Sequence, residues 1–154
     1  MTRTKADDVT TLDGIMTALY DSISGPAGFE RDAGRFRALF LAEGARLIRT
    51  HIDEDGAATA AVMGVDEYLR AANEYFRENS FYEREIARRV ERFGHVTHVL
   101  STYDSKREES DAEPFARGVN SIQLFHDGRR YYVVTVFWDF ERPDNPVPEE
   151  YLPG

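Results

Sequence analysis

His98 and Asp139 are the two side chains of this sequence best suited to acid–base chemistry. Histidine titrates near neutral pH and serves as base or acid. A carboxylate in apolar surroundings gains a raised pKa and becomes a base of the same kind. Turn positions set what stands beside them. With Asp127-Gly128 as the central pair of a tight hairpin, His126 opposes Arg129, Asn120 meets Thr135 and Gly118 meets Phe137. With Phe93-Gly94 as a second tight turn, Arg89 opposes His98, and setting Tyr103 against Phe115 brings His98 beside Asn120. The product is a cross-strand row, Arg89, His98, Asn120 and Thr135, with Asp139 further along and Ile122, Leu124, Val133 and Phe137 around it. A few convergent polar groups in an apolar wall are what a small-molecule pocket needs. Tyr20 could add a proton donor, and Trp138 an aromatic anchor for a ligand or a partner.

Each of these residues has a plainer reading. His98 can be a hydrogen-bonded support of the sheet, Asp139 a strand-end charge paired with an arginine, and Tyr20 a core residue with a wet tip. A single β-bulge would also send every side chain to the other face. The cavity set would then come from Arg84, Arg88, Ser101, Arg117, Ser121, Gln123 and Trp138.

No metal site is expected. His95 and His98 are three apart on a strand and point to opposite faces. His51 and Asp53 share a face, but two ligands do not make a zinc site. The sequence has no Gly-rich phosphate loop after a strand and no GxSxG elbow. Arg84, Arg88, Arg89 and Arg92 alternate with Glu83, Glu85 and Glu91, which reads as paired charge on a strand.

The elements that must hold these residues follow from periodicity. Val9, Leu12, Ile15, Met16, Leu19, Tyr20 and Ile23 form one apolar stripe at helical spacing, with Asp7 or Asp8 as cap and Ser24-Gly25-Pro26 as stop. A shorter helix covers Asp32 to Leu41. A third begins near Val65 and presents Tyr68, Leu69, Ala72, Tyr75 and Phe76. Between them, Arg46 to Asp53 alternates with period two, Asp55-Gly56 turns, and Ala57 to Met63 returns. Four strands follow: Phe81 to Phe93, His95 to Tyr103, Pro114 to Phe125 and Arg130 to Phe140, with a solvated loop from Asp104 to Glu113. Helices first and an antiparallel meander afterwards predict an α+β domain over residues 1–142, ahead of an extended, proline-rich acidic tail over 143–154. Both faces of the last strand are mostly apolar, so a second copy of the sheet is expected to cover one of them in a homodimer.

Composition narrows the classes. The chain has 154 residues, 19 Lys plus Arg against 28 Asp plus Glu, a formal charge of −9 and no cysteine. That excludes a disulfide scaffold, a thiolate metal site and a thiol nucleophile. Nucleic acid and anionic lipid want clustered Lys and Arg, so neither is expected as partner. Residues 1–9 carry no apolar run for a signal peptide, and the longest apolar stretch, Tyr131 to Trp138, is far short of a membrane span. The expected location is cytoplasmic.

The order of elements, together with FYEREIARRVERFGHVTHVLSTYDS (Phe81 to Ser105) and EPFARGVNSIQLFHDGRRYYVVTVFWDFE (Glu113 to Glu141), resembles the nuclear transport factor 2-like superfamily from Asp8 to Glu141. The resemblance implies a cone-shaped α+β fold, with about three amino-terminal helices packed on a strongly bent, mostly antiparallel sheet around a cavity. That superfamily includes ketosteroid isomerases, scytalone dehydratase, limonene epoxide hydrolase, polyketide cyclases and non-catalytic association modules. Its isomerase pattern would draw on Tyr20, Tyr103 and Asp139. Its epoxide-hydrolase relay finds Asp139 and Arg89 but no third member, and its dehydratase pattern finds only His98. The expectation is therefore a binder of a small, largely apolar molecule, without a cofactor. It is either a proton-transfer isomerase, dehydratase or cyclase, or a non-catalytic association module whose cavity its own side chains fill.

Overall fold

The protein is described by a computed structural model over residues 5–154; residues 1–4, part of the stretch read above for a signal sequence, lie outside the described residues. Two short helices open the chain, α1 (Lys5–Val9) and α2 (Leu12–Asp21). The apolar stripe suggested one helix. The break comes from Thr11, whose extended backbone and side-chain oxygen, accepting from the Gly14 N–H at 2.9 Å, start a new helix there. Helix α3 (Ala33–Arg37) is capped in the same way by Asp32. Asp8, expected as a cap, is buried and pairs with Arg35 on α3 at 2.9 Å. Helix α4 (Val65–Glu78) buries Leu69 and Phe76 and carries Asp66 and Glu67 at its amino end and Arg77 at its carboxyl end, matching its dipole.

Six strands form one open, mixed sheet: β1 (Arg46–Ile52), β2 (Ala58–Met63), β3 (Tyr82–Phe93), β4 (Val96–Lys106), β5 (Ala116–His126) and β6 (Tyr131–Phe140). The order is β2-β1-β6-β5-β4-β3, and every pair is antiparallel except β1 with β6. The helices pack on the concave side, so inward-facing Leu47, Val99, Ile122, Leu124, Val133 and Val136 share a core with Ile15, Leu19, Phe36 and Phe76. Among the described residues no helix is long and apolar enough to cross a membrane.

The registers differ from those inferred from the turns, and the differences decide which residues face inward. Asp127 and Gly128 belong to a four-residue connection, because the Asp127 carboxylate accepts from the N–H groups of both Arg129 and Arg130; His126 therefore pairs with Tyr131. Further along β6 a bulge leaves Val134 unpaired, so Asn120 meets Trp138 instead of Thr135. On β4, Tyr103 meets Gly118, three residues beyond Phe115, and His98 meets Gln123. Gly94, at φ +58°, and His95 are the central turn residues between β3 and β4, so Arg89 faces Leu100 and His98 faces Glu91. Offsets of two preserve a face; offsets of three reverse it.

The acidic tail does more than extend. Its backbone folds into a single 3-10 turn (Glu149–Tyr151) against the convex face. There the Thr102 hydroxyl donates to the Tyr151 carbonyl at 2.6 Å, Arg89 lies over the Tyr151 ring, and Val147 is buried.

Candidate functional site

A cavity of about 460 Å³ lies between α2, α4 and the concave sheet. Its walls are apolar and aromatic: Leu19, Phe36, Tyr68, Phe76, Phe81, Val136, Trp138 and Phe140 line it. Its polar members are few: Tyr20 from α2, Arg49 from β1, Glu83 from β3, Tyr103 and Ser105 from β4, and Asn120 from β5.

Glu83 is placed by the junction of α2 with β3. Gly25 and Phe81 exchange backbone hydrogen bonds at 2.8 and 3.0 Å. Next to them the buried Ser24 hydroxyl accepts from the Glu83 N–H at 3.0 Å and donates to the Tyr20 carbonyl at 2.8 Å. The clamp fixes the Glu83 side chain toward the cavity. Burial pushes its carboxyl up to about 7, opposed by Asn120 and Ser105 beside it. A carboxyl that gains and loses its proton near neutrality, in an apolar cavity, can serve as base or acid without help from a metal or cofactor.

Tyr20 is engaged elsewhere. The Asn120 amide donates to its hydroxyl at 2.9 Å, and that hydroxyl lies 2.7 Å from Ser101 Oγ. Ser101 in turn donates to Glu85 Oε2 at 2.5 Å, and Glu85 pairs with Arg88, itself bonded to the exposed Asp13. Because the carboxylate of Glu85 can only accept, Ser101 must donate to it and therefore accept from Tyr20. The Tyr20 proton thus points at Ser101. Burial first, then the negative charge of Glu83, holds its phenol well above the ordinary tyrosine range.

Tyr103 is the complementary case. Its ring passes over Gly118, where an added Cβ would come within 2.5 Å of both the Tyr103 hydroxyl and the Asp139 carbonyl. Gly118 is therefore the residue that lets Tyr103 reach across β5. The Tyr103 hydroxyl has no hydrogen-bond partner among the described residues. Burial and the charge of Glu83 keep it protonated, with Arg49 pulling in the opposite direction. It is a protonated hydroxyl at the cavity wall with its donor uncommitted.

The structure brings Tyr20, Asn120 and Trp138 to the cavity. It does not bring His98, Arg89, Thr135 or Phe137 there, because the odd register offsets turn them to the convex face. His98 bonds to Ser121 at 2.9 Å and lies 3.4 Å from Glu91. Phe137 is 42% exposed. Asp139 also sits away from the cavity floor: Arg142 at 2.6 Å, then Thr50 and the Phe140 N–H, hold its carboxyl down at about 2, so it is an ionised partner of arginine and not a base. Sequence reasoning missed Glu83 and Arg49. Glu83 sits in a Glu-Arg-Glu alternation that is indistinguishable, as text, from an exposed edge strand. Among the described residues no cluster of three or more His, Asp or Glu is placed to hold a metal ion.

Comparison with known proteins agrees with the architecture. No family model matches the chain, and no curated protein matches it. Solved structures do, among them the following three. An NTF2-like protein of unknown function from Shewanella baltica is 14% identical, covering 86% of this chain and 98% of that one, with a TM-score of 0.53. An NTF-2 like protein of unknown function from Silicibacter pomeroyi is 12% identical over 84% and 92%, with a TM-score of 0.55. The yeast UBP3-associated protein BRE5 is 11% identical over 84% and 92%, with a TM-score of 0.58. The likeness is one of fold: this chain has the nuclear transport factor 2-like fold.

Proposed function

We propose that this nuclear transport factor 2-like domain binds a small, largely apolar molecule in the cavity and moves a proton on it with Glu83. The observation that carries the reading is the pairing of a half-buried carboxyl, pushed up to about 7, with the unspent Tyr103 hydroxyl in an apolar chamber. The chemistry needs no cofactor. The Glu83 carboxylate takes a proton from the carbon next to a ligand carbonyl, while Tyr103 donates a hydrogen bond to the carbonyl oxygen, where negative charge develops. Returning the same proton to another carbon completes an isomerisation; delivering it instead to a β-hydroxyl, which leaves as water while the C–O bonding pair departs with it, completes a dehydration. Asn120, with Ser105, favours the ionised form of Glu83, and the relay through Tyr20, Ser101 and Glu85 holds Asn120 in place.

The alternative, an association module with a cavity filled by its own side chains, is poorly supported by 460 Å³ of open space. Association through the sheet remains compatible with a ligand cavity, since Phe125, Phe137 and Val96 stay exposed on the convex face beside the area covered by the tail. We propose that face as the contact of a homodimer.

The catalytic reading is tested with 2-decanone as a probe ketone in D₂O, following exchange of its α-hydrogens by NMR. Wild type accelerates exchange over buffer, and Glu83→Gln loses roughly 10²-fold or more of that acceleration, as expected of a general base. Equal exchange by the two proteins removes Glu83 from the chemistry.

A further inference from the structure

Most polar side chains of the cavity are committed to one another; Arg49 is not. It lines the cavity from β1, is exposed, and has no hydrogen-bond or ion-pair partner among the described residues. An aromatic face lies beside it, with the guanidinium carbon 5.6 Å from the centre of the Phe140 ring. A guanidinium keeps its charge at any working pH and offers five N–H donors in a planar fork suited to a carboxylate. Its neighbours leave the approach open: Ala61 faces it across β2, and Trp138 across β6. His51, two residues on, shares the same face of β1 and adds a further N–H donor beside it.

The polar groups therefore lie at two separated places in one apolar space. Asn120, Trp138 and Arg49 are in register on three neighbouring strands. At a strand spacing of about 4.8 Å, Arg49 is roughly 10 Å across the sheet from Asn120, with Glu83 beyond it on β3. Tyr103 feels the charges of both Glu83 and Arg49 and stands between them.

We infer that the ligand is an amphipathic organic acid, its carboxylate held by Arg49 and its apolar body running along Trp138 toward Tyr103 and Glu83. This rests on the cavity reading above and names the class of molecule that reading takes. A neutral apolar ligand would leave Arg49, the uncommitted cation of the wall among the described residues, unused. An acid satisfies it with a charge-assisted pair in the bidentate geometry that a guanidinium favours.

The test uses the neutral fluorophore N-phenyl-1-naphthylamine, followed by energy transfer from Trp138, the single tryptophan of the chain. Decanoate and 1-decanol then compete for it in wild type, Arg49→Met and Arg49→Lys. The fluorophore binds all three proteins alike. Decanoate competes about tenfold or more less well in Arg49→Met than in wild type and recovers in part in Arg49→Lys, while 1-decanol is unchanged across the three. An Arg49→Met protein that loses decanoate and decanol equally, or keeps decanoate at wild-type strength, overturns the acid assignment and leaves the apolar cavity standing. Failure of the fluorophore to bind wild type overturns the cavity reading and this inference with it.

Discussion

Glu83 carries the functional account, and its charge has a cost that can be measured apart from any activity. Its carboxyl titrates near 7 in the folded chain against 4.5 ordinarily. Between those values the native state holds a proton that the unfolded chain has lost, so stability falls as pH rises through the window and the penalty is complete above 7. At about 1.4 kcal/mol per pKa unit the full penalty is roughly 3 kcal/mol. Glu83→Gln is expected to melt higher than wild type at pH 8 and near wild type at pH 5, as read by thermal unfolding at both values. Gly118 makes a second prediction at this scale. Gly118→Ala places a methyl group against the Tyr103 hydroxyl and a backbone carbonyl at 2.5 Å, so it costs about 1–3 kcal/mol in denaturant unfolding. The same scale shows what could be read beforehand. Tyr20 was legible from its place on a helical apolar stripe, and Asn120 from its alternation with buried Ile122 and Leu124. Glu83 was not, because a glutamate between arginines looks the same whether its strand faces water or a cavity.

Among the elements, a bulge at Ile86 on β3, another at Val134 on β6 and one long turn settle which face is which. The strands themselves follow closely from alternation and turn residues, and the hairpin of β1 and β2 closes at Gly56, which has φ +83°, as its Asp-Gly pair suggests. Register is harder, since it depends on Val134 being skipped and on the Asp127 carboxylate accepting two N–H groups, and neither alters the hydrophobic pattern. One skipped residue was enough to turn Thr135 and Phe137 outward and bring Trp138 in. The junction of α2 with β3 offers the test at this scale. Ser24→Ala removes the hydroxyl that ties the Tyr20 carbonyl to the Glu83 N–H. The buried N–H left behind costs about 1–3 kcal/mol. Hydrogen exchange at the Glu83 amide rises more than at Val99, which lies in the sheet centre away from the clamp.

For the molecule as a whole, the tail and the convex sheet belong together. Apolar residues on both faces of β6 pointed to a cover for each; the helices cover one, and residues 147–151 cover part of the other. Phe125 and Phe137 stay 37% and 42% exposed beside that cover. Our dimer proposal uses this remaining strip, and sedimentation equilibrium at micromolar concentration is expected to return twice the 17.6 kDa chain mass. A mass of one chain, unchanged on concentration, contradicts it. The net charge of −9 then resides largely on surfaces away from the cavity, in the loop after β4 (107–113), the 53–55 turn and the tail, with Arg49 as the cation facing the chamber among the described residues.

The proposed chemistry depends on a carboxyl inside an apolar cavity that exchanges its proton near neutral pH. Selective ¹³C labelling of glutamate side chains, with the Glu83 resonance assigned by its loss in Glu83→Gln, allows that carboxyl to be titrated directly between pH 4 and 9. A midpoint near 7 is expected for Glu83 in the cavity. A midpoint at the ordinary glutamate value of 4.5 would contradict the proposed chemistry.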